Sequence, residues 1–219
     1  MPSAAHFVSS VRALAPGSEL GSAHDVADGL IHRWSEPHRH YHTIEHLREV
    51  LEAGAMLRHA GELPLDQVPL FHLAAWFHDA VYDVRQPGNE AQSADLAKRQ
   101  LTMLQVPPRD VKEVRKLITQ TTMHEVKRPT PARLAFHDAD LWILSAPKAR
   151  YASYRAQVRA EFAHVPTAHF RLGRADVLRP FLEREHLYLT AFARRYWEPL
   201  ARRNLGAELA DLADPHSTI

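Results

Sequence analysis

With 219 residues, 27 Lys+Arg against 26 Asp+Glu and 45% apolar residues, the chain is long enough for one good hydrophobic core and lacks the basic excess that holds phosphate backbones or anionic lipid. Nucleic acid is therefore not the default partner, and nothing in the composition suggests disorder. Zero cysteines exclude disulfides and thiolate ligands, so a metal ion here has to be held by nitrogen and oxygen, which favours Mn, Fe, Co, Mg, Zn or Ni in a His/Asp site.

Eight glycines are few, alternating β-branched runs are nearly absent, and apolar residues recur at three and four, so the chain is expected to be all-α. No repeat or long linker divides it, and one domain over residues 1–219 is expected. Residues 1–19 read as an N-terminal extension or short helix. Their segment MPSAAHFVSSVRALAPGS has neither a basic n-region nor a sustained apolar h-region, and the longest apolar stretch is broken by His72 and His78. A cytoplasmic protein without a membrane partner is the expectation.

The prolines mark the joints. Val26, Leu30, Ile31 and Trp34 form one stripe ending before Glu36-Pro37. Ile44, Leu47, Leu51 and Leu57 form the next, on a helix expected to carry His42 and His46 in its first turns. VPLFHLAAWFHDAVY follows, with Asp66 as its expected cap. It is apolar nearly all round and should be the buried centre. Residues 90–104 and 109–123 give two more helices, separated by Pro107-Pro108, and ARLAFHDADLWIL a short one. Beyond Pro147, stripes run through Tyr151, Tyr154, Val158 and Phe162, then Val177, Leu178, Phe181 and Leu182, then Leu187, Phe192, Tyr196 and Leu200, and residues 211–219 are expected to fray.

Sixteen histidines are several times common usage. The stretch RHYHTIEH puts His42 and His46 four apart, a spacing that turns two rings to one helix face. His78-Asp79 closes the most hydrophobic helix, where an unpaired carboxylate would cost several kcal/mol. A buried Asp needs a cation. Asp138 and Asp140, two apart in FHDADLWIL, point to nearly opposite sides of a helix, so only one is expected to face that cation. The apolar residues around them surround the helix so completely that periodicity does not choose between the two.

Histidine near a helix start, then His-Asp, then Asp, on an all-α chain, resembles the HD superfamily of metal-dependent phosphohydrolases. YHTIEH, AAWFHDAVYD, NEAQSA, DADLWIL and YWEPLARRNL are similar to a group of bacterial proteins described as predicted HD-superfamily hydrolases of unestablished substrate, over nearly the whole chain. The resemblance implies an HD-domain-like helical bundle around a buried central helix, with His46, His78, Asp79 and Asp140 as metal ligands. His42 then becomes a substrate contact or supports a ligand, and Asp138 caps or orients. His124 in TTMHEVKRP is the candidate for a second ion, with His137 close enough in sequence to be considered. The Gly-Lys that often follows His-Asp in signalling members is replaced by Ala80-Val81, which speaks against kinship with cyclic-dinucleotide phosphodiesterases.

The expected partner is a small phosphorylated substrate, a nucleotide or another metabolite, hydrolysed by a metal-activated water. Asp79 is expected to orient that water, and Glu90 to act as a base or orient a ligand histidine, unless it serves only as a first-turn acid after Asn89 as cap. Arg39, Lys127 and Arg128 flank the ligands in sequence and are the candidate phosphate contacts. Two other classes stay open, a di-iron oxygenase of the HD type and a catalytically inactive nucleotide-binding domain. A homo-oligomer is also left open.

Overall fold

The computed structural model describes residues 2–214. The described residues are all-helical, without a strand: α1 (Ala4–Leu14), α2 (Leu20–Trp34), α3 (Ile44–His59), α4 (Val68–Phe77), α5 (Asn89–Met103), α6 (Pro108–Thr119), α7 (Pro131–Asp140), α8 (Lys148–Glu161), α9 (Thr167–Glu183), α10 (Ala191–Tyr196) and α11 (Glu198–Ala213), with 3-10 turns before α4, after α6 and after α7. One continuous core runs from Phe7 to Leu212.

Helix α4 sits at the centre because nearly every direction around it is apolar, His72 excepted. Phe71, Leu73, Ala74, Ala75, Trp76 and Phe77 are all fully buried, and α1, α3, α5, α6 and α7 pack around them. Each large side chain so enclosed contributes roughly 1.5–3 kcal/mol of transfer free energy. Residues 1–19 are therefore more than an extension: α1 inserts Phe7, Val8 and Val11 into the core against α4. At the other end, α11 runs through Ala213, so residues 211–213 are helical rather than frayed, and residues 215–219 lie outside the described residues.

Several caps differ from expectation. Asp66 falls inside the 3-10 turn Leu65–Gln67, and α4 starts after Gln67 with Pro69 in its first turn in place of a side-chain cap. Gly88, at φ 82, precedes α5, because a left-handed residue there costs glycine nothing. Asn89 is consequently the first helical residue, and its amide ties back to the Asp83 carbonyl at 3.0 Å.

Helix α3 crosses α4 at Gly54, where an added Cβ would collide with the ring of Phe71. That ring is fully buried and has no room to swing. Gly54→Ala is therefore expected to destabilise the protein by about 1–3 kcal/mol through overpacking, although Ala is the better helix former by about 1 kcal/mol. Chemical denaturation checks it, and a more stable variant would refute the close crossing.

Candidate metal centre

The site forms where three elements end or begin. Thr43 caps α3, its side chain accepting from the Glu45 amide, so His46 falls in the first turn while His42 lies before the helix, not on it. Helix α4 stops at Phe77, and His78 closes its last backbone bond to the Ala74 carbonyl at 2.9 Å before the chain turns away through Asp79. Helix α7 ends at Asp140, where it tightens into a 3-10 turn.

These ends bring His46 Nε2 and His78 Nε2 to 3.1 Å and set Asp140 Oδ1 3.3 Å from each. A triangle of those sides has its corners about 1.9 Å from a common centre, so an ion just above its plane is about 2.1 Å from all three donors, an ordinary ligand distance. Asp79 Oδ2 lies 3.2 Å from His78 Nε2 and 3.7 Å from His46 Nε2, beside the triangle but outside the group whose ligand atoms all lie within 4.8 Å of one another. His46, His78 and Asp140 thus form a buried group able to hold a metal ion.

The His78 tautomer favours a cation there. His78 Nδ1 donates to the Ala75 carbonyl at 2.9 Å, which turns the other nitrogen of the neutral ring inward as a bare lone pair. His46 Nδ1 meets the Tyr41 hydroxyl at 3.0 Å. Two imidazole nitrogens at 3.1 Å have to share a proton or a metal ion, and the two carboxylates beside them favour a positive charge there. Burial disfavours a charged His78, but Asp79 and Asp140 outweigh it and hold its pKa well above the usual value. Burial likewise acts to raise the Asp140 carboxyl, and the charge on His78 overrides it, keeping Asp140 well below the carboxylate range.

His124 approaches from the segment after α6, at φ 46. Its Nδ1 is enclosed without a hydrogen-bond partner among the described residues and lies 3.8 Å from Asp140 Oδ2. Burial, only partly countered by Asp140, lowers its pKa to about 4, so it stands neutral with a lone pair to give. His137, by contrast, is committed: its Nδ1 pairs with Asp138 at 2.9 Å. Asp138 lies away from the triangle and accepts from Leu189 N, Thr190 N and Thr190 Oγ1 at 2.7–2.8 Å.

A cavity of about 650 Å³ opens from the site, lined at this end by His42, His46, Asp79, Glu90, His124 and Asp140. His42 Nδ1 is held by Glu161 Oε2 at 2.8 Å, and the ring stacks on Tyr82. Glu161 lies at the end of α8 and was not singled out by the sequence reading. Its Oε1 also accepts the amides of His40, Tyr41 and His42 at 2.8–3.0 Å, so one carboxylate shapes the turn in front of α3.

The expected phosphate contacts are corrected. The Arg39 side chain is fully buried and donates to the carbonyls of His42, Asp79 and Ala80. It satisfies carbonyls beyond the end of α4, with its charge at the favourable pole of the helix dipole. Lys127 and Arg128 are exposed and do not line the cavity.

No protein-family model, no curated protein and no solved structure matches the chain. Among the described residues no helix is long and apolar enough to cross a membrane.

Proposed function

We propose that the protein is a metal-dependent phosphohydrolase that cleaves a small phosphoester, the activity implied by its resemblance to the HD superfamily. The observation that carries the reading is the pair of imidazole nitrogens 3.1 Å apart with Asp140 3.3 Å from each, facing a cavity large enough for a small metabolite. His46, His78 and Asp140 would hold the ion, with Asp79 beside them. A divalent ion so held supplies Lewis acidity, making a water more acidic and drawing charge from a phosphoryl oxygen.

The chain's own groups do the rest. Asp79, beside the triangle, would orient the attacking water. His42, with its Nδ1 proton on Glu161, presents Nε2 to take that water's proton. The new bond forms between water oxygen and phosphorus, the ester P–O bond breaks with its electron pair on the departing oxygen, and that oxygen takes a proton from solvent at the mouth. Glu90, in the first turn of α5, lines the same space and helps order water. His124, with its unsatisfied Nδ1 beside Asp140 Oδ2, marks the place for a second ion.

Chelation followed by reloading with single metals tests the reading. At a free concentration about 100 times its Kd an ion adds about 2.7 kcal/mol, so its removal is expected to lower Tm by about 5–10 °C in a chain of this size. Hydrolysis across a panel of phosphoesters should vanish and return with the metal. Full phosphatase activity after verified metal removal, or a melt indifferent to every ion, would overturn the proposal.

A further inference from the structure

Away from the ligands the cavity changes character. Its far wall is built from Ile143 and Leu144 in the turn after α7, Val158 and Phe162 at the end of α8, and Phe170 and Leu178 on α9. Apart from His169, on the exposed side of α9, the polar side chains along that wall are already engaged. Among the described residues Arg174 is the one Lys or Arg in the lining, and its guanidinium is taken by Glu208 at 2.9 Å and by the Tyr154 hydroxyl at 2.9 Å. The Thr121 hydroxyl donates to the Ile118 carbonyl.

Asp79, Asp140 and Glu90 make the near end acidic. A chain of phosphates would therefore meet carboxylates and no free cation beyond the metal. A sugar or nucleobase would meet His169 and leave most of its hydrogen-bonding groups unmatched against the far wall, at about 1–3 kcal/mol each. An apolar body instead gains from burial there.

Resting on the phosphohydrolase reading, we infer that the substrate is a phosphomonoester of an apolar alcohol or phenol, its phosphoryl group at His46, His78 and Asp140 and its alkyl or aryl body against α8 and α9. Gly173 offers a probe that keeps the fold. It lines the cavity from α9, an added Cβ there meets nothing within 4 Å, and leucine is a better helix former than glycine.

Calorimetric titration of the manganese-loaded protein with butyl-, hexyl- and octylphosphonate, whose C–P bond is not cleaved, and with adenosine monophosphate tests the inference. Affinity is expected to rise about three- to fourfold per methylene, and octylphosphonate to bind more tightly than the nucleotide. Gly173→Leu should weaken octylphosphonate by about tenfold or more and spare butylphosphonate. Affinity flat in chain length, tighter binding of the nucleotide, or a Gly173→Leu protein blind to chain length would each overturn it. Length-dependent binding without hydrolysis of the corresponding alkyl phosphates would uphold the apolar compartment and remove the phosphohydrolase reading.

Discussion

Asp140→Ala is expected to abolish metal binding and activity while the fold survives, and Asp138→Ala to leave the metal bound while the fold weakens. The two carboxylates are two residues apart, yet their partners differ in kind. Asp140 faces His46, His78 and His124, and its loss strips the triangle of its one carboxylate corner without freeing a backbone donor. Asp138 is fully buried and gathers two backbone amides, a threonine hydroxyl and the His137 ring. Removing one member of such a buried cluster costs about 3–5 kcal/mol, and each kcal/mol lowers Tm by about 2–4 °C. The Asp138→Ala melt should therefore fall by on the order of 10 °C, with metal content per folded chain unchanged. Metal lost from Asp138→Ala and kept in Asp140→Ala would reverse the assignment.

The division of labour between these aspartates was beyond periodicity, for a specific reason. Both lie on a segment buried on all sides, Ala135 through Asp140 being enclosed without a break, so no exposed face marks which way either points. The tie between Asp138 and residues 189–190 spans more than fifty positions of sequence, and nothing local encodes it. Helix α4 was legible for the same physical reason that made α7 ambiguous: a run apolar all round has one place to go, the centre. His78-Asp79 was legible as chemistry because a charged doublet at the end of such a helix needs a partner, whereas the choice of His46 rested on the resemblance.

The four-residue spacing of His42 and His46 was a misleading signal. Thr43 caps the helix between them, and His42 comes to the cavity from the preceding turn. Arg39 was read as a phosphate contact because a sequence does not display the orphaned carbonyls at a helix end. Glu161 was invisible for the opposite reason: it lies 119 positions from His42, on a helix whose apolar stripe gave no sign of it.

Glu161→Gln is expected to reduce kcat by about 10²–10⁴-fold, the range a general base contributes, while the ion stays bound. Three amides converge on Oε1, so the variant has to keep its amide oxygen there and turn its NH₂ towards His42 and Tyr82. The Tyr82 hydroxyl, which donates to Oε2 at 2.8 Å, can rotate to accept. The His42 ring has no such freedom, because an NH₂ against Nδ1 makes that nitrogen the acceptor and moves the proton to Nε2, the atom that should receive one. The carboxylate itself is dependable: burial works to raise its pKa, but the His42 hydrogen bond and the converging amides hold it down to about 2. It therefore contributes stability that is fully present above the unfolded glutamate pKa near 4.3 and is lost as pH falls from there towards about 2. None of the three ligands of the triangle touches Glu161 through a hydrogen bond, so metal content and the metal-dependent rise in Tm should match the parent protein. A variant with bound metal and unaltered kcat would show that His42 is not the base.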